Sequence, residues 1–149
     1  MIRHKLSGVG AAMITPFTAD GRIDYEALAS TVDYVIEGGA DYIVALGTTA
    51  ETPTLYMPER AVIAMFISNH IAGRVPLVIG VGGNSTSEVL DQLREFDLRR
   101  ADAILSVTPY YNKPSQEGLY QHFRTVSEHS PVPVILYNIP CLLYTSDAA

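Results

Sequence analysis

Three tyrosines, Tyr110, Tyr111 and Tyr137, lie beside threonine- and glycine-rich stretches in the breaks between apolar runs. A phenol with an ordinary pKa of about 10 passes protons when neighbours hold it in a hydrogen-bonded chain. Thr48 could bridge two such phenols, accepting one proton and donating its own. Ordinary amphipathic packing, with the hydroxyls in water, fits the same tyrosines equally well. Gly47-Thr48-Thr49 offers two hydroxyls and several backbone amides, a nest that suits a carboxylate. The competing reading is a turn whose threonines satisfy only their own backbone. Gly80, Gly82 and Gly83 fail the dinucleotide pattern, because the third glycine of G-x-G-x-x-G falls on Ser85, and no P-loop lysine follows. Close packing of strand against helix, capped by Ser85, accounts for them better. The histidines at 4, 70, 122 and 129 lack metal-ligand spacing and a carboxylate at helical distance. No metal site is expected.

Positioning these groups requires a scaffold, and the sequence alternates two patterns. Short apolar runs at 9–15, 42–46, 77–81, 103–107 and 134–137 suit strands buried on both faces. Between them run segments with helical spacing. Leu28, Val32, Val35 and Ile36 form the first, which stops at Gly38-Gly39. Val62, Met65 and Phe66 belong to the second, with Pro58 tolerated in its first turn. The third opens on a Ser85-x-x-Glu88 capping box and runs through Val89, Leu93 and Phe96. The fourth follows Pro114-Ser115 through Leu119, Phe123 and Val126. The order βαβαβαβαβ predicts an α/β fold with a parallel sheet and right-handed crossovers.

An open doubly wound sheet gathers its ligand residues at one switch point, whereas a (β/α)8 barrel uses the end of every strand. Here four successive strand ends carry hydroxyls, amides or glycines, at 47–51, 80–85, 108–115 and 137–140. The opposite turns are plainer. A TIM barrel is therefore expected, of which 149 residues hold only the first four and a half βα units, since a whole barrel takes about 250.

Composition excludes several classes. The chain is 48% hydrophobic and 17% charged, with a formal charge of −6, so it carries no basic footprint for nucleic acid or anionic membrane. No apolar run reaches the roughly 18 residues of a membrane span, and the start lacks the apolar core of a secretory signal. One cysteine, Cys141, fits a reducing compartment. A soluble, cytoplasmic chain is expected.

Residues 9–17 (VGAAMITPF), 47–51 (GTTAE), 110–123 (YYNKPSQEGLYQHF) and 136–140 (LYNIP) resemble dihydrodipicolinate synthase, of the pyruvate-dependent class I aldolase superfamily. The likeness runs from about Leu6 to Pro140, in order and at the right separations. It implies a (β/α)8 barrel, a homotetramer of tight dimers, and condensation of pyruvate, bound as a lysine imine, with aspartate semialdehyde toward lysine and diaminopimelate. It implies no cofactor, because the protonated imine is itself the electron sink. By motif, Thr49 would hold the pyruvate carboxylate and Tyr137 would give and take protons. Thr48 and Tyr111 would complete the relay, Tyr111 reaching a partner subunit's site. Asn84, Glu88 and Tyr110 match an allosteric lysine site of regulated members. Met57 and Arg60 stand where some of those members carry histidines, and Ala50 replaces a glycine.

After Pro140 the sequence departs. Leu142 stands where the family carries an arginine for the semialdehyde carboxylate. Residues 1–140 read as the N-terminal half of a barrel, and 141–149 as a tail foreign to it, left by truncation. The imine lysine of the family, on the sixth strand, has no counterpart here: the lysines are Lys5 and Lys113. The expected chain is thus a synthase fragment, inactive by itself. A related sugar-acid aldolase would share the imine and differ in its aldehyde; an arginine two residues past Pro140 would favour the semialdehyde. A non-catalytic α/β module holding phosphate on its glycine loops would instead bind nucleotide or phosphate.

Overall fold

The computed structural model describes residues 5–139. Five parallel strands form one sheet: β1 (Gly10–Ala12), β2 (Tyr42–Ala45), β3 (Leu77–Gly80), β4 (Ala103–Val107) and β5 (Val134–Tyr137). They are joined by α1 (Tyr25–Glu37), α2 (Met57–Ile71), α3 (Thr86–Glu95) and α4 (Gln116–His129). The strand order is β1-β2-β3-β4-β5, with no reversal. A doubly wound sheet must reverse its order at a switch point, so this topology excludes it. Right-handed crossovers between successive neighbours put every helix on one face, which makes the sheet an arc of a barrel.

The central strand shows why apolar runs form this sheet. Leu77, Val78, Ile79 and Gly80 are all buried, with side chains alternating between the barrel interior and the helix layer. Ile43, Ile79 and Ile104 of three neighbouring strands join Leu28, Val32, Ile63, Ile67 and Val89 of the helices in one core. Burying each such side chain contributes roughly 1.5–3 kcal/mol. Register is fixed accordingly, with Val44 opposite Val78 and Leu105 opposite Ile135.

Four of the five expected strands match within a residue at their ends. The first does not. Of residues 9–15 only Gly10–Ala12 is strand, and Met13 adds one further bond to the Val44 carbonyl at 2.9 Å. β1 has a single strand neighbour among the described residues, and Thr15 turns its hydroxyl to the Ala50 carbonyl at 2.9 Å instead of continuing the ladder. The helix starts also divide. Asp24 accepts from the Ala27 amide, and Ser115 from the Gly118 amide, as N-caps should. Ser85 occupies the N-cap of α3 but makes no cap bond; its hydroxyl lies 2.9 Å from that of Ser87. The expected box at Ser85-x-x-Glu88 is thus not formed at its serine. The reciprocal carboxylate contact occurs at α2, where the Tyr56 amide donates to Glu59 Oε2 at 2.8 Å. The expected tail, residues 141–149, lies outside the described residues.

Candidate functional site

Parallel strands bring the four polar breaks to one end of the sheet. Thr48 and Thr49 follow β2, Asn84 follows β3, Tyr110 and Tyr111 follow β4, and Tyr137 ends β5. Between these strand ends lies a cavity of about 260 Å³. Thr48, Tyr110 and Tyr137 line it, with Gly47, Gly80 and Gly82 forming part of its wall. Arg60 and Glu88 reach it from α2 and α3.

The threonine stretch does form a turn. Residues 48–50 form one turn of 3₁₀ helix, closed by the Ala50 amide on the Gly47 carbonyl at 3.1 Å. Thr52 Oγ1 donates to that same carbonyl at 2.9 Å, and Thr54 Oγ1 to the Glu51 carbonyl at 2.8 Å. Local backbone is therefore satisfied by Thr52 and Thr54. Among the described residues, the hydroxyls of Thr48 and Thr49 make no such bond.

The glycines are explained by closeness of backbones. A Cβ at Gly80 would lie 2.0 Å from the Leu46 carbonyl oxygen and 3.0 Å from the Gly47 amide nitrogen. One at Gly82 would lie 2.9 Å from Val107 Cγ1. The expectation of close packing holds, but the partners are the ends of β2 and β4 rather than a helix. The Gln92 side chain, which the sequence did not single out, then completes the turn. Its Oε1 accepts from the Gly82 amide at 3.2 Å and its Nε2 donates to the Gly82 carbonyl at 3.1 Å. This buried amide stands in for a missing backbone strand.

Strain concentrates at the same end. Of five non-glycine residues with positive φ among those described, four are Leu46, Glu51, Tyr111 and Lys113, all in these loops. Such conformations cost of order 1–3 kcal/mol each and cluster where geometry serves function. Tyr111, at φ 72°, is 92% exposed and lies away from the cavity. No hydrogen bond among the described residues joins Thr48, Tyr111 and Tyr137. The three share an end of the sheet, and only Thr48 and Tyr137 share the cavity. Thr49 is exposed beside it, and the Asn84 carbonyl accepts from Asn112 Nδ2 at 3.0 Å. Lys113 is exposed in its loop. Lys5 pairs with Asp102 at 3.1 Å, just before β4 and hence at the opposite end.

Two histidines take structural parts. His70 Nε2 lies 2.9 Å from Asp33 Oδ1, tying α2 to α1 across a distance in sequence that helical spacing could not reveal. Arg74 meets the same oxygen at 2.7 Å and, with His70, holds the Asp33 carboxyl below its ordinary range. His122 of α4 is buried, its Nδ1 2.8 Å from Thr86 Oγ1 and its Nε2 without a partner. Burial pushes its pKa below the ordinary 6.5. The unfolded chain therefore binds the proton more readily. Stability is fully present above about pH 6.5 and falls as acid takes the solution through that value toward the lower folded pKa. Thermal melts should show this loss between pH 7 and 5 and a flatter profile for His122→Gln; an unchanged slope would refute the assignment. Among the described residues no three His, Cys, Asp or Glu side chains are placed to hold a metal.

With this geometry in hand, comparison with known proteins is direct. Residues 5–146 match the Dihydrodipicolinate synthetase family. A 4-hydroxy-tetrahydrodipicolinate synthase from Parabacteroides distasonis is 51% identical over 135 residues, which are 91% of this chain and 46% of that protein. The crystal structure of dihydrodipicolinate synthase from Aquifex aeolicus superposes with a TM-score of 0.87 at 42% identity, covering 92% of this chain and 46% of that one. A chloride-inhibited synthase from Acinetobacter baumannii, complexed with pyruvate, gives 0.88 at 42% identity, covering 92% and 47%. The chain thus spans about half the length of the curated relatives it matches. Among the described residues no helix is long and apolar enough to cross a membrane. Fold, strand-end loops and sequence agree, and the chain belongs to the dihydrodipicolinate synthetase family.

Proposed function

We propose that these residues supply the proton-relay and carboxylate-binding half of a 4-hydroxy-tetrahydrodipicolinate synthase site. The whole barrel would condense pyruvate, held as a lysine imine, with L-aspartate 4-semialdehyde, in the route to diaminopimelate and lysine. The observation that carries this reading is the shared cavity of Thr48 and Tyr137, with the Thr48 hydroxyl uncommitted. Forming an imine expels the ketone oxygen as water, so a proton must reach that oxygen. The Tyr137 phenol would deliver it, and Thr48 would pass it on. Thr49 and the amides of its turn would hold the pyruvate carboxylate. Tyr111, exposed on a strained loop, would serve a neighbouring subunit of a homotetramer. No cofactor is required. Among the described residues no amine is suitably placed, and the 149 residues would be inactive alone.

A sugar-acid aldolase would need the same imine, so the aldehyde decides. Residues 5–139 should be grafted in place of the corresponding half of the Parabacteroides distasonis relative. The chimera is expected to condense pyruvate with L-aspartate semialdehyde. A folded chimera that forms the pyruvate imine but does not turn over would contradict the relay assigned to these residues.

A further inference from the structure

The cavity holds a cation that neither the relay nor the imine uses. Arg60, in the first turn of α2, has a side chain only 13% exposed. Its Nε donates to the Leu55 carbonyl at 2.9 Å, and Leu55 is itself buried, so the plane of the guanidinium is fixed. Its Nη1 lies 3.9 Å from Glu88 Oε1, beyond hydrogen-bonding distance, and the Glu88 side chain is 48% exposed. The donors on Nη1 and Nη2 thus have no protein acceptor among the described residues. They belong to a residue that lines the same cavity as Thr48, Tyr110 and Tyr137.

We propose that Arg60 anchors a carboxylate-binding subsite in this cavity, one that takes small aliphatic carboxylic acid anions. A guanidinium held out of water, with part of its fork unused, matches a carboxylate better than any other common small group. Thr48, Tyr110 and Tyr137 of the same wall carry hydroxyls besides, and among the described residues Glu88 is the one acid there. Thr52, also in the wall, has its hydroxyl committed to Gly47, and the Gly82 amide is committed to Gln92. An ammonium ligand would have to approach Glu88 alone while facing the Arg60 charge. Selectivity therefore runs toward anions and against cationic amino acids. The inference does not depend on imine formation or on the condensation.

Succinate and L-lysine serve as probes, titrated into the full 149-residue chain by saturation-transfer NMR, with far-UV circular dichroism to check folding. Succinate is expected to bind and L-lysine not. Arg60→Gln should weaken succinate by about tenfold or more, while Arg60→Lys, which keeps charge but loses the fork, should weaken it by a smaller factor. Glu88→Gln should tighten it by a few fold, because a competing anion is removed. That opposite sign decides the matter if Arg60→Gln fails to fold. No succinate binding by the parent chain overturns the subsite, as does unchanged binding in a folded Arg60→Gln or in Glu88→Gln. Lysine binding that Glu88→Gln abolishes would also overturn it. Thr48→Val should weaken succinate by a smaller factor than Arg60→Gln; a larger loss in Thr48→Val than in a folded Arg60→Gln would move the anion to the Thr48 end, overturning the subsite and leaving the condensation reading intact.

Discussion

Pyruvate followed by borohydride is expected to leave the mass of this 149-residue chain unchanged. Trapping an imine requires a neutral amine within reach of a bound ketone, desolvated enough to stay unprotonated. The sequence offers Lys5 and Lys113. Lys5 is tied to Asp102 at the end of the sheet remote from the cavity. Lys113 is at the correct end, but it is exposed in the loop between Asn112 and Pro114, where a solvated ammonium is favoured. Thr48 and Tyr137 therefore face a cavity with no lysine amine in its wall among the described residues. Intact-mass spectrometry after reduction reads the outcome directly. A stoichiometric adduct mapped by peptide digestion to Lys113 would overturn both the prediction and the proposed inactivity of the chain alone.

Gly80→Ala is expected to destabilise the fold by about 3 kcal/mol, near the upper end for overpacking. The new methyl would sit 2.0 Å from a backbone oxygen, and backbone yields less readily than the end of a side chain. Leu46, which owns that oxygen, is already held at φ 55°, so β2 cannot retreat without releasing the turn that presents Thr48. Gly21→Ala provides the comparison. Gly21 has φ 83° but nothing within 4 Å, so its cost is conformational strain alone, about 1 kcal/mol. Urea unfolding of the two variants separates the effects. Equal losses would show that closeness to Leu46 is not what requires glycine at position 80.

The architecture was legible because buried parallel strands write themselves as apolar runs, and β3 is buried on every residue. Alternation also announced four helices, and Asp24 and Ser115 cap two of them through side chains suited to the task. Where a residue has two local options, sequence could not choose. Ser85 has the right spacing for a cap and bonds to Ser87 instead. Thr48, Thr49, Thr52 and Thr54 are alike on paper, and only their placement separates the two that serve the backbone from the two left free. Contacts between distant segments were hidden altogether. Gln92 on Gly82 arises from a helix meeting a strand end, and His70 on Asp33 and the approach of Arg60 to Glu88 arise from helices meeting helices, none of which periodicity encodes. The positive φ of Leu46 and Tyr111 was likewise invisible, since neither residue type favours it.

Tyr137→Phe in the chimeric barrel tests the central claim most directly. The substitution keeps the ring and removes only the proton-bearing hydroxyl from the cavity wall. If Tyr137 is the acid and base of the condensation, kcat should fall by about 10²–10⁴-fold with the fold intact. Turnover within threefold of the parent chimera would contradict the account.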